Sequence, residues 1–101
     1  MKKGYCNEFL EIASIGHTKA YLAATLMSKS IAEKASGWVK SVGDVFIYVL
    51  EGLLNIEYKD LKQSRVTVGR NEFILLPKGS EYLIFADEMT IYIAIIDESS
   101  I

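Results

Sequence analysis

The sequence predicts an all-β domain, a sandwich or a barrel, and three observations carry this prediction. Short runs rich in β-branched and aromatic residues recur along the chain, and Val45 to Leu50 (VFIYVL) is the clearest of them. Turn-forming Gly, Asn and Asp stand between these runs at even intervals. The chain has one proline, Pro77, so little interrupts strand pairing.

The first 44 residues predict leading strands. Glu8 to Ile15 fits an edge strand or a short helix, and we favour the strand. Tyr21 to Met27 is an apolar run without a helix cap, which favours a strand. Ser28 to Ser36 is polar and small and predicts a loop or one helical turn, and Gly37 then opens the segment WVKSV.

The rest of the chain alternates strands with turns, and Val45 to Leu50 has the composition of a strand covered on both faces. The predicted elements are a turn at Glu51-Gly52, a strand Leu53 to Tyr58, a charged surface turn Lys59 to Ser64, a strand Arg65 to Val68, a strand Glu72 to Leu76, a turn at Pro77-Lys78-Gly79, and two strands, Tyr82 to Phe85 and Thr90 to Ile96, separated by Ala86-Asp87-Glu88.

Length and charge limit the functions to be considered. We expect residues 1–101 to form one domain, because the chain is too short for two cores. A net charge of −2 and a pI near 5.4 disfavour nucleic-acid binding. No apolar run is long enough to cross a bilayer, and no signal peptide follows Met1-Lys2-Lys3. With the lone cysteine Cys6, these features predict a cytoplasmic protein.

Two segments carry a resemblance to a known family. Asp44 to Gly52 (DVFIYVLEG) ends like the first cupin motif, and Asn71 to Tyr82 (NEFILLPKGSEY) resembles the second motif, built around P-x-G. The resemblance covers about residues 37–97. It implies a small single-domain cupin-type jelly-roll β-barrel.

The positions that hold metal ligands in that family carry other residues here. Counted from the two motifs, they are Val39, Ser41, Val45 and Tyr82. A shift by one residue places Trp38, Lys40 and Asp44 at the first motif's positions, which restores no site. Transition-metal centres need several converging His, Cys or carboxylate ligands, so we expect neither metal nor cofactor.

Strand alternation predicts which side chains line the interior. If Val45 faces inward, Ile47 does too, and Tyr82 shares its face with Ile84. The candidate pocket residues are Trp38, Val39, Ser41, Val45, Ile47, Tyr82 and Ile84. Such a pocket suits a small, largely apolar ligand, but the same side chains could also fill the interior.

The opposite strand faces carry a second apolar set, which consists of Phe46, Tyr48, Leu50, Leu83 and Phe85. A barrel of this size cannot hide both faces of each strand, so these residues predict a subunit interface or a second sheet layer, and we expect a homodimer through these faces.

Three functions remain open. The first is a metal-free barrel that binds or senses a small molecule. The second is a metal-independent enzyme of the isomerase or epimerase type, with Tyr82, Lys40 or His17 as its acid or base, although each of these has an ordinary structural or solvent-exposed interpretation. The third is an interaction protein with a filled barrel. No hydrolase triad or phosphate loop is present, and the binding role is favoured over catalysis.

Overall fold

A computed structural model describes residues 6–59 and 65–98, which contain eight strands and one helix. In chain order the elements are β1 (Cys6–Ile15), β2 (Thr18–Met27), α1 (Lys29–Ala35), β3 (Val39–Lys40), β4 (Val45–Glu51), β5 (Leu53–Tyr58), β6 (Arg65–Gly69), β7 (Phe73–Leu76) and β8 (Glu81–Asp97). The predicted surface turn Lys59 to Ser64 lies outside the described residues beyond Lys59. The strand favoured for Glu8 to Ile15 is confirmed by β1.

The strands pair antiparallel and form two layers that share β8. One layer, here called sheet A, has the order β1-β2-β8-β4-β7 and uses the second half of β8. The other, sheet B, pairs the first half of β8 with β3 on one side and with β5 on the other, and β6 follows β5. The predicted all-β jelly roll is confirmed, although the sheet is not closed into a complete barrel.

The long strand β8 corrects one prediction. Ala86-Asp87-Glu88 does not separate two strands but lies within a single strand of 17 residues. Ala86 is fully buried and pairs with Met27 of β2, at the point where β8 passes from sheet B to sheet A. The two acidic residues therefore mark the crossing between layers, where their side chains remain exposed.

The core lies between the two layers and follows strict alternation. Val45, Ile47 and Val49 are buried, whereas Phe46 and Tyr48 between them are only partly buried, as predicted. Burying each of these aliphatic side chains contributes about 1.5–3 kcal/mol to the free energy of unfolding. The buried partners from the other strands are Ala23, Leu54, Ile56, Val68, Leu76, Tyr82, Tyr92 and Ala94.

The segment after β2 is more ordered than predicted. It forms the seven-residue helix α1 instead of a loop or one helical turn. Ser28 caps the helix, since its side chain accepts a hydrogen bond from the backbone N–H of Ile31 at 3.4 Å. Ala32 faces inward and is fully buried.

The helix covers the outer face of sheet B. Leu83 and Phe85 of β8 are buried there in a second cluster with Met27 and Ala32, and Trp38 packs against it. For Leu83 and Phe85, where the sequence predicted a subunit interface or a second sheet layer, the chain's own helix provides the covering layer.

Two glycines stand where backbones approach too closely for a side chain. A Cβ atom on Gly43 would overlap the backbone carbonyl oxygen of Asp97. Gly52, which closes the first cupin-like motif, has φ of 93° and would place a Cβ 2.5 Å from the hydroxyl of Thr90. The Thr90 hydroxyl accepts a hydrogen bond from the backbone N–H of Leu53 at 3.1 Å.

Among the described residues, no helix is long and apolar enough to cross a bilayer.

Candidate functional site

A cavity of about 240 Å³ lies between the inner faces of the two sheets. Its wall draws on β1, β2, β3, β4 and both halves of β8. The volume corresponds to about eight water molecules at about 30 Å³ each, slightly below the range of drug-sized pockets. The lining residues are Asn7, Phe9, Met27, Ser36, Val39, Val45, Ile47, Tyr82, Ile84, Tyr92, Ala94 and Ile96.

Five of the seven residues predicted from the sequence lie together on this wall: Val39, Val45, Ile47, Tyr82 and Ile84. They meet because β3 pairs with the start of β8, and Val39 stands directly opposite Tyr82 in that pair. Sheet A brings in Val45 and Ile47 from the other side.

The other two predicted residues lie elsewhere. Trp38 packs against the cluster beneath α1 and stabilises the covered face of sheet B. The Ser41 hydroxyl donates a hydrogen bond to the carbonyl oxygen of Pro77 at 3.0 Å, and the Ser41 backbone N–H donates to Ser80 at 2.9 Å. Ser41 therefore holds the P-x-G turn in place and does not face the cavity.

Two of the polar side chains on the wall are tyrosines, Tyr82 and Tyr92. Burial raises the pKa of the Tyr82 hydroxyl. Burial also raises the pKa of Tyr92 to about 12, with a smaller contribution from nearby Tyr82, while a hydrogen bond with Thr25 acts in the opposite direction. Both side chains are therefore neutral at pH 7.

The cavity meets solvent between the edge strands β1 and β3. Phe9 of β1 and Val39 of β3 both line it, yet they are 56% and 41% exposed. The Phe9 ring stands edge-on to that of Tyr92, with ring centroids 6.5 Å apart. Asn7 accepts a hydrogen bond from the buried hydroxyl of Thr25 at 3.2 Å. The cavity is therefore open to solvent between β1 and β3, and the polar side chain of Asn7 is held in place near this opening.

No charged side chain is among the lining residues that the structure describes. Lys40, considered as a base, lies on β3 beside Val39 but is exposed, and its backbone stands opposite that of Glu81 in the pairing of β3 with β8. His17 is exposed in the turn between β1 and β2. The wall therefore combines apolar contact with neutral hydrogen-bonding groups.

The sequence analysis missed the lining residues that come from β1, β2 and the second half of β8. Alternation in Thr90 to Ile96 does place Tyr92, Ala94 and Ile96 on one face. Their position opposite Tyr82 depends on β8 serving both sheets, which the predicted turn at residues 86–88 obscured. Asn7 and Phe9 carry no sequence signal for this role.

Comparison with solved structures places this fold among known proteins. A cupin-2 domain containing protein from Shewanella frigidimarina is 22% identical and superposes with a TM-score of 0.71 over 89% of this chain and 79% of its own. An RmlC-like cupin family protein with a double-stranded β-helix fold, from Methanocaldococcus jannaschii, gives 10% identity and a TM-score of 0.72 over 96% and 91% of the two chains.

A provisionally assigned mannose-6-phosphate isomerase from Ralstonia eutropha gives 15% identity and a TM-score of 0.77 over 93% and 86%. The chain has a cupin fold. The resemblance stated from the two motifs is confirmed at the level of fold. No protein-family model matches the sequence, and no curated protein matches it either.

Within this cupin fold, three of the four positions that the family uses for metal ligands face the cavity. They hold Val39, Val45 and Tyr82, while the fourth, Ser41, ties the P-x-G turn. Across residues 6–59 and 65–98 there is no group of three or more His, Cys, Asp or Glu side chains that could hold a metal ion. The interior here is apolar where the resemblance would place metal chemistry.

Proposed function

We propose that this protein is a binding module whose cavity holds a small, uncharged and largely apolar molecule. The observation that carries the proposal is the cavity of about 240 Å³ at Tyr82, because a filled interior would leave nothing for a ligand to enter. Aliphatic side chains of Val45, Ile47 and Ile84 supply apolar contact, and the hydroxyl groups of Tyr82 and Tyr92 supply orientation.

No charged side chain lies on the described wall, so the cavity favours uncharged ligands over charged ones. A carboxylate or phosphate would lose its hydration on entry and would meet no lysine or arginine there. Such a transfer costs several kcal/mol. A phosphorylated sugar of the kind named for the Ralstonia eutropha protein is therefore a poor fit, and we do not extend that activity to this chain.

Catalysis receives little support from the same wall. General acid–base chemistry near pH 7 needs a group that exchanges a proton in that range. The titratable lining residues within the described ranges are Tyr82 and Tyr92, and burial raises the pKa of both away from neutrality. The binding role therefore accounts for the cavity more simply than the isomerase or epimerase alternative.

A matched pair of probes tests the proposal. Benzamide and benzoate have nearly the same shape but differ in charge, so calorimetry and ligand-detected NMR should show benzamide binding and benzoate binding at least about tenfold more weakly. Native mass spectrometry of the protein as purified will report any retained small molecule or metal in the same preparation.

Variants locate the binding to the cavity. Ala94→Phe fills the space from within β8, and we expect it to abolish benzamide binding. Ala35→Phe makes the same change on the exposed surface of α1 and should leave binding intact, with circular dichroism confirming the fold of each variant. The proposal fails if benzamide, benzyl alcohol and indole all leave the wild-type protein unbound at about 1 mM, or if binding survives in Ala94→Phe.

A further inference from the structure

Tyr82 differs from the other polar side chains of the cavity wall in its hydrogen bonding. The polar residues among the described lining are Asn7, Ser36, Tyr82 and Tyr92. Asn7 accepts a hydrogen bond from the Thr25 hydroxyl at 3.2 Å, and Tyr92 also has a hydrogen bond with Thr25. The Ser36 hydroxyl donates to a backbone carbonyl oxygen of α1 at 3.3 Å. No described residue forms a hydrogen bond with the Tyr82 hydroxyl.

The side chain of Tyr82 is nevertheless buried. The residue is 6% exposed and belongs to the core cluster that contains Val45 and Ile47. A polar group that is enclosed without a partner costs about 1–3 kcal/mol. Among the described residues, no side-chain oxygen or nitrogen is both fully enclosed and without a partner. The Tyr82 oxygen therefore touches open space, and the space that this side chain lines is the cavity.

We propose that Tyr82 selects ligands that carry an uncharged carbonyl oxygen, such as ketones and amides, by donating a hydrogen bond to that oxygen. This inference rests on the proposed binding function and adds the functional group that the ligand carries. A phenolic hydroxyl can both donate and accept. Donation is its stronger role, because the aromatic ring withdraws electron density from the oxygen and makes the proton more acidic than that of an alcohol.

The surroundings of the Tyr82 hydroxyl strengthen this selection. Val39 stands directly opposite Tyr82 in the pairing of β3 with β8, and Ile84 follows on the same face of β8. Neither side chain can form a hydrogen bond. A ligand without an acceptor would leave the hydroxyl unpaired among these apolar groups, which costs more than the hydrogen bond contributes when it forms. The wall therefore rejects purely apolar ligands relative to carbonyl compounds of the same shape.

Asn7 provides a second donor on the same wall. Its side-chain oxygen accepts the proton of Thr25, which is fully buried, and this contact fixes the orientation of the amide group. The N–H groups of the amide have no acceptor among the described residues, so they are left for a ligand. Tyr82 and Asn7 thus both offer protons, and a carbonyl oxygen has two lone pairs with which to accept them.

A pair of isosteric probes tests the role of Tyr82. Acetophenone and α-methylstyrene have nearly the same shape, but the second has a C=CH₂ group in place of the carbonyl. Calorimetry or ligand-detected NMR gives the ratio of their dissociation constants, and the difference in hydrophobicity cancels when this ratio is compared between two proteins. We expect the preference for acetophenone to fall about fivefold in Tyr82→Phe. Tyr48→Phe removes a tyrosine hydroxyl outside the cavity and should leave the ratio unchanged.

The carbonyl stretch of bound acetophenone reports the hydrogen bond directly. With acetophenone labelled at its carbonyl carbon, infrared difference spectra should show this band at lower frequency in the wild-type protein than in Tyr82→Phe. Circular dichroism checks the fold of each variant. If Tyr82→Phe does not fold, the wild-type band is compared with that of acetophenone in hexane, and equal frequencies overturn the inference.

The outcomes separate this inference from the binding function beneath it. If both probes bind and Tyr82→Phe changes neither the ratio nor the carbonyl band, the selection by Tyr82 is wrong and the binding function stands. If neither probe binds the wild-type protein at about 1 mM, the inference fails together with the binding function.

Discussion

The outer faces of the two sheets carry similar apolar residues but differ in their exposure to solvent. On sheet B, Leu83 and Phe85 are buried because α1 packs over them. On sheet A, Phe73 and Leu75 are largely exposed, and no described element of the chain lies over them. The same alternation of apolar side chains thus leads to a core surface in one sheet and to an open surface in the other.

The difference depends on a short segment of sequence. The outer face of sheet B is shielded by a helix of seven residues, its serine cap and one tryptophan. Glu57 of β5 adds a further tie, since it forms an ion pair with Lys29 of α1 at 2.9 Å and another with Arg65 of β6 at 2.8 Å. The contrast shows that an apolar strand face in the sequence predicts burial. It does not show whether the covering element belongs to the same chain.

The largest expected effect on stability is the difference between two leucine-to-alanine substitutions, one on the outer face of each sheet. Leu83→Ala should lower the free energy of unfolding by about 2–5 kcal/mol, because it leaves a cavity beneath α1. Leu75→Ala should lower it by less than about 0.5 kcal/mol, provided that urea unfolding is measured at concentrations where the chain is monomeric. Equal losses would show that the two faces are covered alike.

The helix cap gives an intermediate effect. Ser28→Ala removes the acceptor for the Ile31 N–H and should cost about 1 kcal/mol. Ser14→Ala, at an exposed serine of β1, is the matched control and should change stability by less than half as much. Urea unfolding measures both, and hydrogen exchange in β8 near Leu83 should quicken only in Ser28→Ala. If the two variants behave alike, the cap does not hold the cover.

The ion pairs of Glu57 give the smallest effect, and it depends on pH. The hydrogen bonds from Lys29 and Arg65 lower the pKa of Glu57 below its ordinary value of 4.5. A lowered pKa in the folded state stabilises the fold at pH values above 4.5, and this stabilisation is lost as the pH falls through the lowered value.

Glu57→Gln should therefore cost less than about 1 kcal/mol at pH 7, since Lys29 and Arg65 remain partly in solvent. The difference from the wild-type protein should shrink towards zero as thermal unfolding is repeated at lower pH. Glu33→Gln, on the exposed side of α1, is the control and should show no such trend. A cost that is constant with pH would mean that charge plays no part in holding α1.

Much of the fold followed from local pattern. The alternation in Val45 to Leu50 predicted correctly which side chains are buried, and the glycine of YVLEG marked a turn that the structure explains through Thr90. Besides the segment that forms α1, the exception was β8, where Ala86-Asp87-Glu88 has the composition of a turn. A strand that changes sheets exposes polar residues at the crossing just as a turn does, so composition could not distinguish the two.

Some of the residues that line the cavity could also be predicted from the sequence. Val39, Val45 and Tyr82 came from counting positions in two motifs, and that count does not depend on tertiary structure. Tyr92, Asn7 and Phe9 came from the registers between β1, β2 and β8, which no local pattern specifies. Ser41 was placed in the pocket by its position in the motif, but its hydroxyl bonds to the Pro77 carbonyl instead.

The shared strand β8 also determines how the chain can fold. Strands β2, β4 and β5 all pair with β8, although they are distant from it in sequence. Neither layer can be completed before residues 81–97 are available, so we expect folding to be a single all-or-none step that follows synthesis of that strand. Such non-local pairing makes loop closure costly and places refolding on the slow scale of milliseconds to seconds. Until then β2, β4 and β5 lack their common partner, so we expect the nascent chain to be most vulnerable to aggregation just before β8 emerges.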